Sequence, residues 1–150
     1  MVADLRITGA EKFARVAREL KAAGDKEMRR ELAQGLGRAT KPLKAAAKES
    51  ARTTLPKRGG LAARVASSSF RTRTKTGSSP SIQITARESK SADLAGLDAG
   101  VNRHPVWGNR ARWATQRVTP GWFTRPMVEG GGDVRTSILA AVDAVLAKLK

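Results

Sequence analysis

Apolar residues recur along the chain with two different periods. Phe13, Val16, Ala17 and Leu20 lie three or four apart, the spacing of a helix with one buried stripe. Met28, Leu32, Leu36, Ala39, Leu43 and Ala46 or Ala47 continue that spacing over a longer reach. Val134, Ile138, Ala141, Val142, Val145 and Leu149 repeat it near the C-terminus. Between these runs the period drops to two. Phe70, Thr72, Thr74 and Thr76 alternate with Arg71, Arg73 and Lys75, and Ile82, Ile84 and Ala86 alternate with Ser81, Gln83, Thr85 and Arg87. Gly77-Ser-Ser-Pro80 has the composition of a turn, so the spacing predicts strands over 63–76 and 81–87 joined as a β-hairpin.

Punctuation between the runs completes the outline. Asp4–Thr8 reads as a short strand with Leu5 and Ile7 on one side, and Thr8-Gly-Ala-Glu11 fits a capping box. Gly24 and Asp25 end the first helix and cap the second. Pro42 predicts a kink or split in that long second helix, while Gly35 and Gly37 weaken it or admit a close neighbour. Leu55–Gly60 and the polar stretch Glu88–Gly100 read as loops. His104–Gly108 reads as an irregular segment entering a turn at Gly108-Asn109, and 111–118 as a third strand of the same sheet. After a turn at Thr119-Pro-Gly121, Thr124 is placed to cap a last helix with Pro126 in its first turn. The run Gly130–Gly132 is expected to break that helix and Asp133 to recap it. The whole reads as one α+β domain over 1–150: a small antiparallel sheet with a β-hairpin, packed against a long kinked helix and N- and C-terminal helices.

Charge sharpens this picture. The chain has 150 residues and a formal net charge of +16. No Asp or Glu occurs from Ser50 to Arg87, where eight Lys and Arg fall, nor from Ala99 to Val128. Such zones point to a polyanionic partner, nucleic acid first and an acidic protein or membrane surface second. Much of the apolar content is alanine, which buries little area per residue, so the core stands to gain from subunit contacts. There is no cysteine, which excludes disulfides and thiolate metal sites. The first residues lack the apolar run of a signal peptide, no stretch has the length of a membrane span, and synthesis in a cytoplasm is expected.

Catalytic chemistry finds little support. His104 is the single histidine, so histidine metal clusters and Cys/His dyads are excluded. The serines at 67–69 and 78–81 lie in no GxSxG elbow, and neither GxxxxGK[ST] nor GxGxxG occurs. No catalytic residue, metal or cofactor is expected, and the chain reads as no enzyme. Helix-turn-helix, zinc-finger and ribonucleoprotein signatures are absent too, so any contact with DNA is expected to be sequence-blind and salt-dependent. Arg71, Arg73 and Lys75 are the best candidates to meet DNA or an acidic partner.

One stretch stands apart. Val101–Pro126 holds all three tryptophans, the single histidine, one of three phenylalanines, five arginines and no acid. Trp107, Trp113, Trp122 and Phe123, with Arg125, are either the bulky anchors of an alanine-rich core or anchors that also serve a subunit interface, where Trp and Arg are enriched. Base stacking is disfavoured, because duplex DNA offers no free base faces.

The order of parts resembles the neck or tail-completion family of long-tailed double-stranded DNA phages, often labelled head–tail connector or minor tail proteins. Pro105-Val-Trp-Gly-Asn109 stands where that family has an acidic–aromatic–glycine–threonine turn. Gly121-Trp-Phe-Thr-Arg-Pro126 stands where it has an arginine–proline–aromatic step into the last helix. Leu55-Pro-Lys-Arg-Gly-Gly-Leu61 resembles the family's loop after its long helix, and Trp113–Phe123 looks most like versions from phages of actinobacteria. The family's glutamate is Val106 here and its threonine is Asn109, so roles tied to those two positions do not carry over. The resemblance implies a structural virion protein made in the host cytoplasm: a homo-oligomeric ring, usually a hexamer, between capsid portal and tail tube. Its partners would be other copies, neighbouring neck proteins, the tail tube or terminator, and duplex DNA in the channel, with no membrane. Two alternatives stay open: a tail terminator ring capping the tube, and a cellular sequence-independent nucleic-acid-binding protein.

Overall fold

A computed structural model describes residues 2–5, 10–75, 81–87 and 92–149, without the side chains of 2–5. The element order is β1 (Val2–Leu5), α1 (Ala10–Ala22), α2 (Lys26–Thr54), α3 (Leu61–Ala66), β2 (Ser69–Lys75), β3 (Ser81–Arg87), α4 (Leu94–Asp98), β4 (Val101–Val106), β5 (Asn109–Arg117) and α5 (Thr124–Lys148). This is an α+β fold. β1, β3 and β2 form an antiparallel sheet in that spatial order, and β4 and β5 form a separate antiparallel hairpin.

The three long helices arise where the apolar spacing predicts them. α1 buries Phe13, Val16 and Leu20. Asp25 caps α2, its carboxylate accepting from the Met28 amide at 2.9 Å. α2 buries Leu32, Leu36, Ala39, Leu43, Ala47 and Ala51, and α5 buries Val134, Ile138, Val142 and Val145. These stripes meet the inner sheet face, where Ile82, Ile84 and Ala86 are fully buried. Thr40 of α2 is fully buried as well. Its hydroxyl lies 3.0 Å from the Leu36 carbonyl and 3.1 Å from the Thr72 hydroxyl, so helix and sheet meet without an orphaned polar group.

Several sequence expectations are corrected. Pro42 does not split α2, which is one helix of 29 residues; the tertiary contact with α5 outweighs the one amide bond that proline removes. The glycine run does not break α5, and Asp133 recaps nothing. A Cβ on Gly130 would lie 2.5 Å from the Leu43 side chain, and one on Gly35 would lie 2.8 Å from Ala141 Cβ. Small residues at these two points let α2 and α5 run close and antiparallel. The first half of the expected strand 63–76 is helix α3, because Leu61, Ala62, Val65 and Ala66 bury one helical face. Only Ser69–Lys75 is strand. The expected loop 88–100 contains α4, whose N-cap Asp93 accepts from the Gly96 amide at 2.9 Å. Thr8 of the capping box, Ile7, Thr76 and the turn 77–80 lie outside the described residues.

The close seam gives a test of opposite signs. Gly37 has no atom within 4 Å of an added Cβ. Gly37→Ala is expected to raise stability by about 0.5–1 kcal/mol through helix propensity. Gly35→Ala gains the same propensity but overpacks against Ala141, for a net loss of about 1 kcal/mol. Urea unfolding of the two variants measures this, and Ala141→Gly should restore the Gly35→Ala chain. Shifts of the same sign would contradict the seam.

Candidate functional site

Two exposed basic features lie in the acid-free zones of the chain, one on the outer face of β2 and β3, where strand alternation exposes it, and one on the β4–β5 hairpin. On β2, Phe70, Thr72 and Thr74 are half-buried while Arg71, Arg73 and Lys75 are exposed, as the period-two pattern predicts. The register sets Arg71 opposite Thr85, Arg73 opposite Gln83, Lys75 opposite Ser81 and Ser69 opposite Arg87. Directly opposed residues share a face. Arg87 therefore joins the other three cations on the outer face of the sheet. Neighbours along β2 on that face are about 7 Å apart. Among the described residues, none of these four makes an ion pair. β2 is also an edge strand, where charged side chains deter the addition of another strand.

The second feature is the β4–β5 hairpin, which corrects the sequence reading twice. His104-Pro-Val106 is strand rather than irregular, and the turn is Trp107-Gly108, one residue earlier than expected. β5 joins no larger sheet. No residue from Val101 to Arg117 is buried, so the hairpin projects as an arm. A six-residue strand such as β4 spans about 20 Å. Both turn residues have positive φ, 51° at Trp107 and 74° at Gly108, the backbone of a tight primed hairpin turn. Glycine adopts it freely; a bulky residue such as tryptophan does so at a cost in strain. Pairing is regular from Val101–Arg117 to Pro105–Trp113 and then shifts, leaving Arg110–Arg112 as a bulge beside the tip. The Trp113 indole donates to the Arg110 carbonyl at 2.8 Å and carries the Arg103 guanidinium 5.4 Å above its ring.

The aromatic stretch is therefore divided. Trp107 is 99% exposed and Trp113 50%, whereas Trp122 and Phe123 are 0% exposed. Reading Trp107 and Trp113 as core anchors of the single chain is corrected: both lie on the arm, away from the apolar interior. Phe123 stacks on Phe70 with centroids 6.0 Å apart and tilts against Trp122 at 5.5 Å. The Trp122 indole donates to the Leu94 carbonyl at 3.2 Å. Arg125 is exposed, and its guanidinium donates to the Pro120 carbonyl at 3.4 Å.

Asp98 holds the base of the arm, a role the sequence reading missed. Thr124 does not cap α5 as expected. The cap position is Phe123, and the Asp98 carboxylate accepts from the Phe123 amide at 2.8 Å, the Thr124 amide at 3.1 Å and the Thr124 hydroxyl. The Asp98 carbonyl takes the Gly121 amide at 2.8 Å, and the Gly100 carbonyl takes the Val118 amide at 2.9 Å. The one available signal was an aspartate just ahead of an acid-free basic zone, and spacing alone does not join it to a helix 26 residues later.

His104 is exposed, its Nδ1 lies 3.3 Å from the Pro105 carbonyl, and it makes no ion pair among the described residues. Among the described residues no group of three or more His, Asp or Glu converges as a metal site. No described helix is long and apolar enough to cross a membrane. Partial burial on α2 lowers the Lys44 ammonium below the ordinary lysine pKa by desolvation. No known family, curated protein or solved structure matches the chain.

Proposed function

We propose that this chain is a structural subunit of a phage neck, assembling into a ring around the DNA channel between capsid portal and tail tube. The observation that carries the reading is the arm: 17 consecutive residues, Val101–Arg117, with two exposed tryptophans, four arginines and no buried side chain. An isolated two-stranded hairpin is only marginally stable in water. Such an arm gains its missing apolar cover from a neighbour in an assembly. The outer row Arg71, Arg73, Lys75 and Arg87 supports the second half of the reading, since it offers phosphates a sequence-blind line of charge. The order of loop, turn and arginine–proline step supports the family, and a tail terminator ring would use the same features.

Size exclusion with light scattering, at several salt concentrations and with or without duplex DNA, tests this. The expected result is a discrete oligomer that forms without DNA and binds duplex weakly, less so as salt rises. Changing Arg71, Arg73 and Lys75 to Gln should flatten the salt dependence by about 0.9 in log–log slope per lost phosphate contact. A monomer that binds duplex tightly at low salt would overturn the reading in favour of a cellular nucleic-acid-binding protein.

A further inference from the structure

The arm has a complement on the same molecule. Beside the Gly130–Leu43 contact, α2 and α5 leave an open groove of about 550 Å³. Pro42, Leu43 and Ala46 contribute apolar surface to it, and Glu49, Glu129 and Asp133 contribute carboxylates. The chain has 13 acidic residues against 29 basic ones, yet three of the 13 line this one groove. Glu49 pairs with Arg52 at 3.3 Å across exposed surface; Glu129 and Asp133 make no ion pair among the described residues. Arg125 is the single cation of the lining, and it is turned to the Pro120 carbonyl.

We infer that the arm of one copy docks its Trp107 tip into the α2–α5 groove of a second copy. The tip is an exposed indole flanked by Arg110 and Arg112 in the bulge; the groove is an apolar hollow with carboxylates along it. Shape class and charge sign both match, and each surface is otherwise uncovered. The turn strengthens the choice of occupant. Asn or Gly suits the first position of this turn better than tryptophan, so folding of the hairpin does not account for Trp107. A strained, fully exposed indole is explained when its ring is buried elsewhere. Arm and groove are different surfaces, so the contact is head-to-tail, the kind that closes into a ring when the rotation between copies divides a full turn. The inference rests on the ring reading and names the contact that builds it.

The test is self-association of the full chain, followed by light scattering over a concentration series. Trp107→Ala, the pair Arg110→Glu with Arg112→Glu, and the pair Glu129→Lys with Asp133→Lys are each expected to weaken association at least about tenfold. The chain carrying all four charge changes should regain it, since opposite signs again face each other. All five positions are solvent-exposed, and unchanged circular dichroism and melting temperature identify the variants that remain folded. An oligomer whose mass ignores every variant overturns the docking contact and leaves the ring reading standing on another interface. A wild-type chain that stays monomeric at every concentration also overturns the contact. The functional reading fails separately, by tight duplex binding of that monomer.

Discussion

Trp122→Ala is expected to lower folding stability by about 3–5 kcal/mol, the range for truncating a large aromatic in a core that does not collapse around the gap. Trp122 has no exposed surface. Its ring lies 5.5 Å from Phe123, which stacks in turn on Phe70 of β2. Truncation thus removes the Trp122–Leu94 bond, one of the contacts between α4 and the start of α5, and loosens the stack leading to the sheet. The surrounding core is poor in volume: Ala10, Ala14, Ala39, Ala47, Ala51, Ala62, Ala66 and Ala86 are all buried, and alanines have no side chain to swing into a cavity. Domains of this size are stable by about 5–15 kcal/mol, so the loss is a large share of the whole. Trp107→Ala is the matched control. Its ring is 99% exposed in the single chain, and at concentrations where the chain is dissociated the expected change is within about 0.5 kcal/mol. Urea denaturation of both variants measures the contrast, and equal losses would contradict the division of the aromatic stretch.

Asp98→Ala is expected to cost about 2 kcal/mol, because it removes the carboxylate that caps α5 together with a negative charge at the positive end of that helix. The amides of Phe123 and Thr124 lose an ionised acceptor, and such bonds are worth more than neutral ones. Asp98→Asn keeps an acceptor of similar shape and should lose about half as much. The variant also has a local signature. Asp98 anchors the chain on both sides of the arm, through its own carbonyl to Gly121 and by ending α4 just before Gly100 accepts from Val118. Amide exchange over 100–118 is therefore expected to quicken in Asp98→Ala more than exchange in α2. Uniform loss of protection throughout the chain would instead place Asp98 outside the clamp.

Helices α1, α2 and α5 were legible because one face of each is buried, and burial of a face writes its period into the sequence whatever the neighbour is. The same holds for β2, where alternation alone assigned Arg71, Arg73 and Lys75 to the outer face; β3 is the central strand, and Ser81 and Gln83 on its other face are buried as well. Short elements were harder to read. α3 and α4 carry too few residues for a period, and they form because Leu61 and Val65, or Leu94 and Leu97, find a core to enter and Asp93 caps the second.

Other features depend on partners that no local pattern names. Gly35 and the run at 130–132 looked like weaknesses in helices; Ala141 and Leu43, far away in the chain, turn Gly35 and Gly130 into the contacts that bring α2 and α5 together. The groove beside that seam gathers Glu49 with Glu129 and Asp133, residues some 80 positions apart in sequence. By itself the sequence determined the long helices, the alternating hairpin strands, the basic outer row and the crowding of aromatics and arginines into one stretch. Tertiary structure alone decided that the stretch divides, with Trp122 and Phe123 inside and Trp107 and Trp113 on a projecting arm. Periodicity records that a residue needs cover, whereas the turn at Trp107-Gly108 and the clamp at Asp98 determine which residues the rest of the chain can reach to cover.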